Sequence, residues 1–138
     1  MPSAFQYRRR VQFAETDLAG IAHFSCYFRY MEEAEHALWR AAGLTIARPG
    51  GEVGWPRVAA AFEFKAPLRF EDEFDVGVRI ANVSTRSIQY GFTLTRGSTT
   101  IGEGTMTAVA VRYGPERAIP IEVPADVVAR LRAVAESR

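Results

Sequence analysis

The segment Ala14 to Phe24, AETDLAGIAHF, places a carboxylate (Asp17), a glycine able to make a tight return (Gly20) and a histidine (His23) just before a stretch of helical periodicity. A carboxylate facing the free N–H groups of a helix start suits acyl transfer. Those amides polarise a carbonyl while the carboxylate attacks it or activates water. Aspartate is equally at home in a turn or as a remote helix cap, so Asp17 alone leaves both readings open. His23 is placed to position water or touch a substrate, or to make an ordinary polar contact. His36, the other histidine, falls on the solvent side of the helix pattern, and no His-x-x-x-His or paired-cysteine spacing exists, so no metal site is expected. Cys26, the single cysteine, lies near the helix start without an evident base and reads as a small packed residue.

These residues need elements to hold them. Phe5, Tyr7, Val11 and Phe13 alternate with Arg8, Arg10 and Gln12, which predicts a half-buried strand over 5–13. A helix is expected from about Ser25 to Ala42, stopped by Gly43. On a helical wheel Phe24, Tyr27, Phe28, Met31, Ala34, Leu38 and Ala42 share one side, opposite Glu32, Glu33, His36 and Arg40. Glu35 falls on the apolar stripe, where a carboxylate must be paired, protonated or used; an arginine at a subunit contact or a catalytic role would each satisfy it. Glu32 opens the polar face and is expected to be solvated or paired with Arg29. Thr45 to Pro56 is glycine- and proline-rich and reads as a long loop. Four period-two runs follow, at Val58 to Phe64, Phe74 to Ile80, Ile88 to Leu94 and Ile101 to Tyr113, joined by connections too short for crossover helices. Pro124 opens a short final helix with Val127, Leu131 and Val134 on its apolar face. One strand, one long helix and four strands make an α+β plan in which sheet and helix cover each other. A hotdog fold, a curled antiparallel five-stranded sheet wrapped around a long central helix, satisfies that order of elements.

Composition narrows the class. The chain has 138 residues, 48% of them hydrophobic, and a formal net charge of +1. That length suffices for one domain over 1–138 that buries roughly 68% of its unfolded surface without staples. Near-zero net charge argues against a generic nucleic-acid binder, although Lys65 is the only lysine among 17 basic residues. One cysteine, no apolar leader and no long apolar run point to a cytoplasmic protein without a membrane partner.

The stretch FAETDLAGIAHFSCYFRYMEEAEHALWRAAGL resembles the signature segment of the 4-hydroxybenzoyl-CoA thioesterase family, in which a strand ends in Asp, followed by a Gly-containing loop, a Tyr-bearing helix and a closing Gly-Leu. Thr85-Arg86-Ser87 occupies the place of the family's basic-Ser strand start, and AIPIEVPADV is similar to the tail of its aryl-CoA enzymes. The resemblance spans essentially the whole chain. It implies a hotdog acyl-CoA thioesterase that hydrolyses an aryl- or medium-chain acyl-CoA to the free acid and CoA. Asp17 would be nucleophile or general base, Gly20 the loop glycine, and the Phe24 N–H the donor to the thioester oxygen. His23 stands where some members have histidine, and Arg86 with Ser87 matches a CoA-contacting region. No metal is implied and no cofactor, CoA being part of the substrate. Homodimers pairing into homotetramers, with sites between subunits, are expected. A second branch uses a glutamate on the central helix, which keeps Glu35 in reserve. The rivals are a hotdog dehydratase or hydratase using His23, and a non-catalytic acyl-CoA-binding module.

Overall fold

The computed structural model describes residues 4–47 and 50–137. Five strands, β1 (Phe5–Arg10), β3 (Arg57–Phe64), β4 (Glu73–Val83), β5 (Ser87–Arg96) and β6 (Thr99–Val109), form one antiparallel sheet in the order β1-β4-β5-β6-β3. Its concave face wraps the helix α1 (Cys26–Ala41), as the order of elements predicts. The inward residues Phe74, Val76, Val78, Ile88, Tyr90, Phe92 and Leu94 have no exposed surface, so the period-two runs are the core face of the sheet. A helix α2 (Ala125–Ala135) buries Leu131 and Ala135. Among the described residues no helix is long and apolar enough to cross a membrane.

The helix carries no glycine or proline within its bounds. Gly43 ends it at φ 74°, and the Leu44 N–H donates to the Trp39 carbonyl at 2.9 Å, which closes the last turn.

Its buried face differs from the wheel. Tyr27, Tyr30, Met31, Ala34, Glu35, Leu38 and Trp39 are buried, whereas Phe24 is 64% and Phe28 38% exposed. The sheet curls over a stripe centred on Met31 and Leu38, and Phe28 is left beside Ala60 and Met106 at the open β3 edge.

Two predicted strands are shorter than their alternation. The first ends at Arg10, because the Glu15 N–H donates to the Gln12 carbonyl at 3.0 Å and residues Phe13–Glu15 form a 3-10 turn. Phe13 therefore points outward, edge-on to Phe70. The last run breaks at Ala110, whose N–H goes to the Arg86 carbonyl and whose carbonyl accepts from Ile121. Beyond it β7 (Val111–Tyr113) pairs with β2 (Val53–Gly54) and β8 (Ala118–Pro120) in a small second sheet that the sequence did not announce. β2 lies within the predicted 45–56 loop, of which positions 48 and 49 fall outside the described residues.

The β3 side chain Phe62 lies across β6 where β6 has glycine. A Cβ at Gly102 would lie 2.4 Å from the Phe62 ring and 2.5 Å from the Glu63 carbonyl oxygen. Gly102→Ala should cost about 1–3 kcal/mol by overpacking, read as a lower urea midpoint with an unchanged m value.

Candidate active site

Asp17 lies on a loop whose path is fixed by main-chain hydrogen bonds. The 3-10 turn delivers the chain to Thr16, which bridges Ala22, and the Asp17 N–H donates to the Ile21 carbonyl at 3.0 Å. Gly20, at φ 80°, allows the return, and its N–H donates to the Asp17 carbonyl at 2.9 Å. The loop is seated on the β3–β4 connection by an Ile21–Arg69 bridge and by the Ala22 N–H on the Leu68 carbonyl at 2.8 Å.

The Asp17 carboxylate is half-buried. Its Oδ1 accepts the Ala19 N–H at 2.9 Å, and among the described residues nothing donates to Oδ2. The turn role and an available oxygen thus coexist in one side chain. Asp17 and Phe24 line a cleft of about 450 Å³ together with Ile21, Tyr27, Phe64 and Lys65. The Phe24 N–H meets no acceptor among the described residues, while the next amides donate back to His23 (Ser25 to Nδ1, Cys26 to the carbonyl). Asp17 and Phe24, whose N–H is unspent, therefore line one cleft, and Phe24 stands two residues before the first residue of a 16-residue helix whose dipole adds partial positive charge near its start.

Tyr27 forms the floor, its ring 5.0 Å from those of both Phe62 and Phe64. Burial raises the pKa of its hydroxyl, so it stays protonated. The Cys26 thiol is likewise raised, by burial first and then by the charge of Glu15, consistent with a packed residue.

His23 is not part of the cleft lining. Its Nδ1 lies 2.8 Å from the Ser25 Oγ, and the ring stacks on Phe24 at 4.6 Å. Arg86 and Ser87 lie at the far end of the sheet. Ser87 pairs with Val109 beside the Arg57 end of β3, whereas the cleft is at the Phe64 end. Among the described residues no group of three or more His, Cys, Asp and Glu side chains is placed to hold a metal ion.

Glu35 is fully buried and finds its arginine within the chain. Arg57 donates to both carboxylate oxygens, one of them at 3.0 Å, while the nearby Tyr90 hydroxyl accepts from the Trp39 indole at 3.0 Å. Burial pushes the Glu35 carboxyl upward against the pull of Arg57. Glu32 is exposed, as one of its two expected readings has it, and the cation it faces is Arg57 at 3.7 Å and not Arg29.

Sequence reasoning passed over Arg9, Glu15 and Glu33. Arg9 hydrogen-bonds both acids and lies over the Tyr30 ring at 4.9 Å. The signal was available: Arg9 shares its strand face with Phe5 and Tyr7, and a cation on an apolar face requires a carboxylate.

A curled five-stranded antiparallel sheet wrapped around one long helix defines the class, a hotdog fold. A sequence model described as the thioesterase-like superfamily matches residues 11–131, and the chain belongs to that superfamily of thioester hydrolases. Its structure is similar to that of a hypothetical protein from Aquifex aeolicus, with 30% identity, 92% of this chain and 98% of the other covered, and a TM-score of 0.84. It is also similar to a solved gentisyl-coenzyme A thioesterase, with 26% identity, 91% and 98% covered, and a TM-score of 0.82. A 1,4-dihydroxy-2-naphthoyl-CoA hydrolase of Prochlorococcus marinus is 32% identical over 94 residues, 62% of each chain. The resemblance seen in the sequence is borne out at the level of family and fold.

Glu35→Gln sets an amide N–H₂ against the Arg57 guanidinium. The expected outcome is a loss of about 1–3 kcal/mol in urea denaturation with kcat retained. Loss of kcat at wild-type stability would move catalysis to the helix glutamate.

Proposed function

We propose that this protein is an acyl-CoA thioesterase acting on aromatic acyl groups, with Asp17 as its reacting carboxylate. The observation that carries the reading is that Asp17 and Phe24, whose amide is unspent, line one cleft. The thioester carbonyl would lie with its oxygen on the Phe24 N–H, where the helix start stabilises the negative charge that develops on attack. Asp17 either attacks the carbonyl carbon or takes the proton of the water that does. In both cases the C–S bond breaks, CoA leaves as thiolate and is protonated, and one water is consumed. Aromatic acyl groups suit walls made by Phe24, Tyr27 and Phe64, and the two named relatives act on hydroxylated aryl-CoA thioesters. The dehydratase alternative would require His23, which is turned to Ser25.

Asp17→Asn keeps the shape and removes the charge. Turnover of aryl-CoA should fall by about 10²-fold or more with KM nearly unchanged, as measured by thiol release across a panel of aryl- and medium-chain acyl-CoA thioesters. Wild-type kcat for this variant would reject Asp17. Equal kcat/KM for both acyl classes would reject the aromatic preference.

The reading includes a homodimer, itself the unit of a tetramer. β3 is an unpaired sheet edge with no charged side chain from Val58 to Phe62, and Val58 is 60% exposed. Antiparallel pairing of two β3 edges about a two-fold axis would set the Arg57 end of each against the Phe64 end of the other. That would bring the exposed Arg86 toward the neighbour's cleft, where it could meet CoA phosphate. Arg86→Ala should then raise KM without changing kcat, and Ala60→Lys should yield a monomer with little activity. Sedimentation of an active monomer would reject the pairing.

A further inference from the structure

The main chain enters and leaves the Asp17 loop through a single neck. The Glu15 carbonyl accepts the His23 N–H at 2.8 Å, and everything between these residues is loop. Asp17 stands two residues beyond one side of the neck, within about 7 Å of chain, and the Phe24 amide is the next peptide group beyond the other. Glu15 thus holds the neck from which both reacting partners extend, while the Ile21–Arg69 bridge and the Ala22–Leu68 bond seat the rest of the loop.

Glu15 is held unusually firmly for a loop residue. Its Oε1 accepts from Arg9 at 2.9 Å, from Tyr30 at 3.1 Å and from the Gln12 N–H at 2.8 Å, while Oε2 accepts from Arg9 at 2.6 Å. Arg9 is tied in turn to Glu33 through Nε at 2.8 Å and Nη2 at 3.2 Å, and Tyr7 donates to the same Glu33 at 3.1 Å. These bonds join β1, the loop neck and α1 through side chains that are about 12% exposed at both Arg9 and Glu15. Burial alone would raise the Glu15 carboxyl, but Arg9, Gln12 and Tyr30 outweigh it and hold the group below its ordinary range, so it is ionised at neutral pH. The Glu15 carbonyl also faces the Cys26 thiol, at 3.6 Å.

We propose that Glu15 is a positioning residue for thioester hydrolysis: clamped by Arg9 and Tyr30, it fixes the separation between the Asp17 carboxylate and the Phe24 amide. The inference rests on the thioesterase reading and adds a residue that touches neither substrate nor reacting atoms. It distinguishes Glu15 from a simple brace between strand and helix, because a brace would alter stability alone. A clamp on the neck moves the nucleophile relative to its oxyanion donor, to which rate is far more sensitive than binding.

Glu15→Gln is the test, since the amide keeps the shape but presents an N–H₂ group to Arg9. Wild type, Asp17→Asn, Glu15→Gln and Tyr30→Phe are assayed in parallel for kcat and KM on one aryl-CoA thioester, with thermal midpoints for each. Alkylation of Cys26 by iodoacetamide, the chain having one cysteine, reports the neck directly. The expected result for folded Glu15→Gln is a kcat lower by about 10-fold or more with KM within about twofold, and faster Cys26 alkylation. Tyr30→Phe, which deletes one bond to Glu15, should show the same pattern at smaller size, and it decides the matter if Glu15→Gln does not fold. A lower thermal midpoint with wild-type kcat in either folded variant overturns the positioning role and leaves the thioesterase reading intact. A wild-type protein that releases no thiol from the substrate overturns both. Wild-type kcat in Asp17→Asn with reduced kcat in Glu15→Gln overturns Asp17 as the group being positioned.

Discussion

Burial of one side of α1 against the concave face of the five-stranded sheet is the constraint on which the rest of this structure depends. Tyr30, Met31, Ala34 and Leu38 have no exposed surface, and each large side chain so placed contributes about 1.5–3 kcal/mol. Neither partner is stable without the other, since an isolated sheet would leave its apolar face in water and an isolated helix its stripe. Gly104 lets the two approach closely, since it lies against the Met31 sulfur. Once the helix is seated, its N-terminus emerges at the Phe64 end of the sheet. The chain from β1 must then reach it by folding over the β3–β4 connection, which is where the Asp17 loop comes to rest.

Polar groups inside this packing fix how the helix is rotated. Glu35 has no contact with solvent, and its charge is tolerable only because Arg57 meets it. A helix turned by one residue would carry that carboxylate away from its partner and bring an unpaired charge into the core, so the pair selects one orientation among several of similar apolar burial. The Arg9, Glu15 and Glu33 group does the same at the other end, where it ties β1 to the helix and to the turn before the cleft. Buried ion pairs of this kind contribute little net stability and much definition. Definition is what a site needs when its amide and carboxylate come from opposite sides of a loop.

Local pattern was enough for much of this. Period-two alternation, the 3.6 period from Cys26 onward, Gly43 as a stop and Pro124 as a start are properties of neighbouring residues, and the elements follow them closely. The Asp17 and Gly20 loop and the Phe24 amide were also legible, because turn chemistry and helix starts are written in consecutive residues. The resemblance named the family and fold that the structure and the sequence comparison bear out. What the sequence could not decide were contacts between residues far apart in it. Arg57 with Glu35 spans 22 positions and Arg9 with Glu33 spans 24. The exposure of Phe24 and Phe28, the outward turn of Phe13 and the break at Ala110 all depend on which stripe of the helix the sheet encloses and which strand an amide finds to pair with. Those are set by strand register and curl across the whole sheet. A helical wheel or a run of alternating residues records that a face is apolar, but only the long-range pairing determines how much of that face is covered.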